Sequence, residues 1–304
     1  MSLQEIAKIA GVSKSTVSRV INHDERVSDE TRARVQKVIQ EVGYLPNRAA
    51  RALVSRRTQA IGVVISDDFG IFTDTSQYFP TILRGISSAT TAHDYAMLLF
   101  LGEDSEDDYR FARRIVRSQM FDGVILVSPS IGHPVIDEML SSGMPFVSAD
   151  RIDRDDAQIN YVTVENVQAS RKAVRHLIDQ NRRRILMIAG NDEIIDTHDR
   201  IRGYKQALAD AGIPFDPDLL IVGRYSQTSG YNAIQSVIEQ QIDFDGVFAS
   251  QTNIAVGAVN ALIGHGIRLP EDVSLIGFDD IPDGAVPQVG ISTVSQDVFK
   301  RGNR

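Results

Sequence analysis

From Ile61 onward the chain repeats one pattern, an apolar run of strand length followed by a longer segment with helical spacing. The runs read IGVVI (61–65), YAMLLF (95–100), GVILV (123–127), PFVSA (145–149), YVTV (161–164), RILMIA (184–189), LLIVG (219–223), GVFAS (246–250) and VSLIGF (273–278). Helices fit between most of them, at 81–92, 106–119, 166–180, 200–211, 229–240 and 254–264. Continuous apolar runs belong to strands buried on both faces, and parallel strands need a crossover helix between them. The pattern predicts α/β architecture. About ten strands over ~240 residues is more than one compact lobe ordinarily holds, so two doubly wound parallel-sheet lobes are expected.

Open sheets of this kind bind ligands beyond the carboxyl ends of their strands. The polar and aromatic residues there are Asp67 and Asp68, Asp150 and Arg151, Glu165 and Asn166, Asn191, Gln251 and Thr252, and Asp279 and Asp280. Arg200 sits at the start of the helix after 184–189, and Phe72, Tyr78 and Phe79 fall in a long first loop. Carboxylates, an arginine and aromatic faces suit a small polyhydroxylated or heterocyclic molecule. Any one of these residues also serves as a helix N-cap or a solvated loop residue, and taken singly Asp67, Asn191 and Asp280 read that way.

The first sixty residues are of another kind. The chain as a whole carries a net charge of −8, yet residues 1–57 hold eleven Lys/Arg against six Asp/Glu, while the remainder holds 21 against 34. A basic module on an acidic body meets a phosphate backbone in one orientation. Within EIAKIAGVSKSTVSRVIN, residues Ile6, Ala7 and Ile9 to Ala10 mark the apolar side of a short helix, and Gly11 supplies a corner. Ser13 then caps a second helix whose Val17, Val20 and Ile21 face inward. A third helix, capped by Ser28 or Asp29, buries Val35, Val38 and Ile39 and ends at Gly43. Three helices around a glycine corner predict a helix-turn-helix, whose second helix fits the major groove. Lys14, Ser15 and Arg19 stand where they reach base edges, and Thr16, Ser18 and Asn22 suit phosphate oxygens. The alternative is a polar solvated face on a small helical domain.

Next, GYLPNRAARALVSRRTQ places Pro46 at the first position of a helix over Asn47 to Leu53. That helix is too short to persist alone in water. Paired with a second copy on DNA, it offers Leu53 as a minor-groove wedge flanked by Arg48 and Arg51. An ordinary linker is the equal alternative.

Four segments in order, IAKIAGVSKSTVSRVIN, RVSDETRARV, GYLPNRAARAL and RTQAIGVVI, resemble the LacI/GalR family of bacterial transcriptional repressors, and the likeness runs over nearly the whole chain. It implies a helix-turn-helix headpiece over residues 1–45, a hinge helix and linker over 46–59, and a periplasmic-binding-protein-like effector domain over 60–304. The N-lobe would take residues from about 60–160 plus 291–304, and the C-lobe about 161–290. The family likeness further implies a homodimer on a palindromic operator, with Lys14, Ser15 and Arg19 as base readers; the lack of an apolar leader or membrane-length run reads as cytoplasmic. Asn47, Arg48, Arg51 and Leu53 would form the minor-groove hinge. In the body, DRIRGYKQAL resembles the family's Arg-x-x-Gly-aromatic segment, which makes Arg200 the ligand-binding arginine. PEDVSLIGFDDIP places the pocket aspartate at Asp279, and PFVSADR and VTVENVQAS set Asp150 and Asn166 near the cleft. With Phe79 and Gln251 these form the expected effector site. A sugar or sugar derivative is favoured over a purine, with no cofactor or metal.

Three departures bear on the ligand. Gln251-Thr252 stands where many members have Asn-Asp, Glu165 replaces the usual Asp, and SDDFGIFTDTSQYFPTILRGI is longer than the common pattern. Members also usually continue past ISTVSQDVFKRGNR with another helix and strand, so either the sequence is truncated there or the N-lobe is incomplete, and a missing strand would leave an exposed sheet edge.

Other classes find little support. There is no cysteine, and no apolar window approaches the ~18 residues of a membrane span. Walker A, G-x-G-x-x-G, H-E-x-x-H and G-x-S-x-G patterns are absent, and the six histidines lack metal-ligand spacing. The acid pairs Asp107-Asp108 and Asp155-Asp156 read as solvated loops or helix starts. An enzyme is not expected. A transporter's solute-binding component is the alternative the body alone would support, but it has no use for residues 1–57.

Overall fold

A computed structural model describes residues 2–21, 24–44, 57–65, 77–102, 107–154, 159–279 and 290–304. The chain divides into two compact units between Gln59 and Ala60. In the first, three helices run α1 (Leu3–Ala10), α2 (Lys14–Ile21) and α3 (Asp29–Glu41). Each owes its ends to local chemistry. Ser2 and Glu5 form a reciprocal capping box on α1, Gly11 closes that helix at φ +64°, and Ser13 Oγ accepts the Thr16 amide at 3.1 Å to open α2. Ser28, rather than Asp29, caps α3.

Helices this short are marginal alone. They are held by a shared core of Ile6, Ala7, Ala10, Val17, Val20, Val27, Val35 and Val38. One expectation fails here: Ile9 is 56% exposed, because it points away from the face that Ile6, Ala7 and Ala10 share. Ile21 and Ile39 are only partly buried, at the margin of the core.

The second unit is α/β. Its N-lobe sheet contains β1 (Ala60–Ile65), β2 (Ala96–Leu101), β3 (Gly123–Val127), β4 (Phe146–Ser148) and β5 (Asn160–Tyr161), in the order β2-β1-β3-β4-β5. The C-lobe sheet contains β6 (Ile185–Ala189), β7 (Leu220–Val222), β8 (Gly246–Ala249), β9 (Ser274–Phe278) and β10 (Ser292–Val294), in the order β10-β9-β8-β6-β7. All described pairings are parallel. The order reverses beside β1 and beside β6, the topological switch points that open a crevice at the strand carboxyl ends.

Helices cover both faces of each sheet. In the N-lobe, α4 (Tyr78–Ala92) packs Ile82 and Ile86 on one face, while α5 (Asp108–Arg117) and α6 (Val135–Ser142) pack Phe111, Ile115 and Met139 on the other. In the C-lobe, α7 (Asn166–Asp179) and α8 (Ile195–Asp210) cover one face, and α9 (Gln227–Glu239) and α10 (Thr252–Gly264) the other. A last helix, α11 (Val298–Asn303), joins α4, with Val298 buried beside Ile82 and Ile86.

Several sequence expectations shift. Of YVTV (161–164) only Tyr161 is strand, paired through β5 at the sheet edge, where few neighbours remain to extend a ladder. Helix α8 begins at Ile195 and not near residue 200, so Arg200 lies in its second turn. Tyr78 and Phe79 open α4 and do not lie in the preceding loop. Residues 292–294 form β10 on the C-lobe sheet, so the chain returns to the N-lobe after Val294.

Candidate functional site

In the headpiece, burial of Val17 and Val20 leaves one side of α2 outward. Lys14, Ser15 and Arg19 are exposed on it, with Ser15 and Arg19 one turn apart. Thr16 and Ser18 are half-buried. The Ser13 hydroxyl bonds both Ser15 Oγ (2.7 Å) and Thr16 Oγ1 (2.8 Å), which orders the amino-terminal turn expected to face DNA. Asn22 and the hinge residues Asn47, Arg48, Arg51 and Leu53 lie outside the described residues, as do Asp67, Asp68, Phe72 and Asp280.

In the body, four of the six expected effector residues, Asp150, Asn166, Arg200 and Asp279, are buried around one crevice, while Gln251 and Phe79 are used differently. Arg200 projects from α8 and is almost wholly buried. Its Nε donates to Asn166 Oδ1 at 3.0 Å, its Nη1 donates to the Ser250 carbonyl at 2.6 Å, and Asp196 lies 3.7 Å from its Nη2. The guanidinium stacks 4.0 Å from the centre of the Phe278 ring. Asp196 sits one helical turn before Arg200, where the i,i+4 spacing brings the two side chains together.

Asp150 follows β4 at the N-lobe's carboxyl edge. It accepts from the Ser128 amide (2.8 Å) and hydroxyl (3.2 Å), from Tyr78 Oη (3.2 Å) and from Arg301 Nη2 (2.9 Å). Asp279 follows β9 in the left-handed region at φ +73°, a strained conformation for an aspartate that orients its carboxylate toward Gln296. Gln296 carries the chain on to Arg301, whose Nη1 donates to Gln296 Oε1 at 2.9 Å. A continuous polar string thus runs Asp279–Gln296–Arg301–Asp150, from C-lobe to N-lobe. Gln251 serves as the N-cap of α10, its Oε1 accepting the Asn253 amide at 2.7 Å, so part of its hydrogen-bonding capacity is local. Phe79 stacks edge-on against Tyr78 with ring centres 5.1 Å apart and packs into the N-lobe core.

Burial, then the neighbouring Asp150 charge, push the Asp196 carboxyl up to about 6 against the pull of Arg200 and Arg301. Burial likewise raises the Tyr225 hydroxyl to about 12, where it bonds Thr197 Oγ1 at 2.5 Å. Burial opposes the charge of Arg301, but Tyr78, Asp150, Asp196 and Asp279 outweigh it and hold the guanidinium firmly protonated. A second tie between lobes is the two-pronged pair of Arg151 Nε and Nη2 with Asp199, at 2.8 and 2.9 Å.

The residues that sequence reasoning missed are Asp196, Tyr225, Gln296 and Arg301. Asp196 was legible as the i−4 partner of Arg200 once the helix start was set correctly. Arg301 gave no such signal, since a basic residue near the end of a short polar segment reads as solvated.

Comparison with known proteins agrees with this architecture. Residues 2–47 match the model of bacterial regulatory proteins of the lacI family, and residues 58–299 match that of periplasmic binding proteins and the sugar-binding domain of the LacI family. The chain is 34% identical over 281 residues to the HTH-type transcriptional regulator CelR of Thermobifida fusca, spanning 92% of this chain and 82% of that protein. A solved CelR–cellobiose complex aligns with a TM-score of 0.75 at 30% identity, covering all of this chain and 90% of that one. The lac repressor dimer bound to operator and the anti-inducer ONPF shares the fold, with a TM-score of 0.85 at 23% identity over 100% of this chain and 89% of that one. The headpiece match leaves the transporter alternative without support. The chain belongs to the LacI family of bacterial transcriptional regulators.

Proposed function

We propose that this regulator is a repressor that binds a palindromic operator as a homodimer and responds to a saccharide in the crevice between its lobes. One observation carries the ligand half: buried side chains from both lobes, Asp150 on one and Arg200, Asn166 and Asp279 on the other, converge at the strand carboxyl ends. Such a set of fixed donors and acceptors beside the aromatic face of Phe278 suits a hydroxylated ring. The similarity to a CelR–cellobiose complex supports the same class of ligand.

Lys14, Ser15 and Arg19 read bases in the major groove, and Thr16 and Ser18 hold phosphates. Asn22 is assigned to phosphate and Asn47, Arg48, Arg51 and Leu53 to the minor groove on the family pattern alone. The saccharide acts through its different affinities for two lobe arrangements, which the headpieces of a dimer experience as a change of spacing. The ligand is sensed and not turned over. Among the described residues no helix is long and apolar enough to cross a membrane, in keeping with a regulator that works on cytoplasmic DNA.

Fluorescence anisotropy with a palindromic operator library against random duplex tests the DNA half. A clear preference for one palindrome, altered by a saccharide that is recovered unchanged, is the expected result. Equal binding to all duplexes would sink it.

A further inference from the structure

Arg301 is the least expected side chain in the crevice. It arrives on α11, which lies so close to α4 that Gly85 and Gly302 have no room for a Cβ: one would meet the Phe299 carbonyl and the other that of Ile82. This contact seats Arg301 in a fixed place, 6% exposed, with Nη2 on Asp150 and Tyr78, Nη1 on Gln296, and the guanidinium 5.2 Å from the centre of the Tyr78 ring.

Among the described residues, the buried side-chain atoms that lack a hydrogen-bond partner include Arg301 Nε, a donor, and Asp196 Oδ1, an acceptor. Their residues sit in the same electrostatic neighbourhood, since Asp196 responds to Asp150, Arg200 and Arg301 together. Buried groups in this condition point to something that completes them. A hydroxyl both donates and accepts, so hydroxyl groups answer both atoms. A carboxylate or phosphate oxygen only accepts, and leaves Asp196 facing a like charge.

The charges agree. Among the described residues four carboxylates, Asp150, Asp196, Asp199 and Asp279, stand at the crevice with four guanidiniums, Arg151, Arg200, Arg202 and Arg301, so the two signs balance. Each guanidinium already faces a carboxylate: Arg151 and Arg202 face Asp199, Arg200 faces Asp196, and Arg301 faces Asp150. None is left to receive an acid.

We propose that Arg301 is a specificity-determining residue that, by pairing with Asp150, makes the crevice select uncharged saccharides against sugar acids and sugar phosphates. This rests on the saccharide-sensing function proposed above and narrows its ligand class. Arg301 neutralises the N-lobe carboxylate without offering an unpaired cation, and presents its Nε–H to a ligand hydroxyl.

The test uses the full chain and matched ligands: glucose, glucuronate and glucose 6-phosphate, galactose and galacturonate, cellobiose and cellobionate, by thermal shift and calorimetry. In at least one set the neutral sugar binds, and its acid or phosphate binds weaker by on the order of 100-fold. Asp150→Asn frees Arg301 from its carboxylate and leaves a guanidinium without a carboxylate partner, so the neutral-to-acid ratio should fall by about ten-fold or more. Arg301→Lys, which keeps the charge, should retain the preference. Each ratio is taken within one variant, so a loss of stability does not mimic the effect, and the unmodified protein decides the ligand class even if a variant fails to fold. An acid or phosphate bound as tightly as its neutral partner overturns the proposal, and so does an unchanged ratio in Asp150→Asn. If no sugar of either kind binds while operator binding is intact, saccharide sensing itself falls, and the selectivity with it.

Discussion

Arg151, just past β4 of the N-lobe, grips Asp199 on α8 of the C-lobe through two parallel hydrogen bonds of 2.8 and 2.9 Å. Asp199 is nearly buried while Arg151 keeps some exposure, and Arg202 stands a further 3.5 Å from the same carboxylate. The pair spans the crevice, so its strength bears on how readily the lobes part. Arg151→Ala should lower the free energy of unfolding by about 1–2 kcal/mol, less than for a fully buried pair because solvent screens it. It should also reduce the additional stability a bound saccharide confers. Chemical denaturation with and without ligand measures both, and no change in either would mean that the pair contributes nothing to closure.

Asp196 predicts a pH dependence. Its carboxyl titrates at about 6 in the folded protein against 3.8 ordinarily, so between these values the folded state holds a proton that the unfolded chain has released. Stability therefore falls as pH rises through that window, and the full cost is present above it. Asp196→Asn imitates the protonated form and should gain about 1–3 kcal/mol at pH 7 to 8, with no gain below pH 4. Denaturation midpoints at pH 4 and pH 7.5 give the comparison. An equal effect at both would show that the charge of Asp196 is not penalised by burial.

The seat of Arg301 depends on glycine. Gly85→Ala drives a methyl group into the Phe299 carbonyl, and the helices must separate to admit it. Overpacking of this kind costs about 1–3 kcal/mol. A melting curve should show that loss, and saccharide affinity should drop as Arg301 retreats. Unchanged melting would mean that α4 and α11 approach less closely in solution.

On the DNA side, the exposure of Arg19 and the half-burial of Thr16 predict different consequences. Arg19→Ala should cost about 1–3 kcal/mol and relax base preference at one operator position. Thr16→Ala should weaken all sequences alike and also remove one partner of the Ser13 hydroxyl. Binding to a panel of single-base operator variants separates the two, and the opposite pattern would place α2 differently in the groove.

Helix periodicity, strand-length apolar runs and capping residues act over a few neighbouring positions, which is why two sheets, a glycine corner at Gly11, a cap at Ser13 and one at Ser28 or Asp29 were legible in advance. The same locality misled at Ile9, whose apolar character says nothing about the direction in which its helix packs. It misled again at Val162 to Val164, where a good strand former lies beyond the last partner strand.

Within the crevice, Asp150, Asn166, Arg200 and Asp279 were legible as candidates from their places after strands, the family resemblance implied their roles, and the structure brings the four side chains together. Gln251 held the expected place but turned its oxygen to cap α10. By itself the sequence determined the basic three-helix front end, the doubly wound body and the edge at which a ligand would sit, because each follows from spacing along the chain. Only the tertiary structure decided that Arg301 lies against Asp150, 151 positions away in sequence. Burial of that charge depends on the close approach of α4 and α11 and on partners from three separate segments. No local pattern records such an arrangement, since its energy arises only when the segments have been brought together.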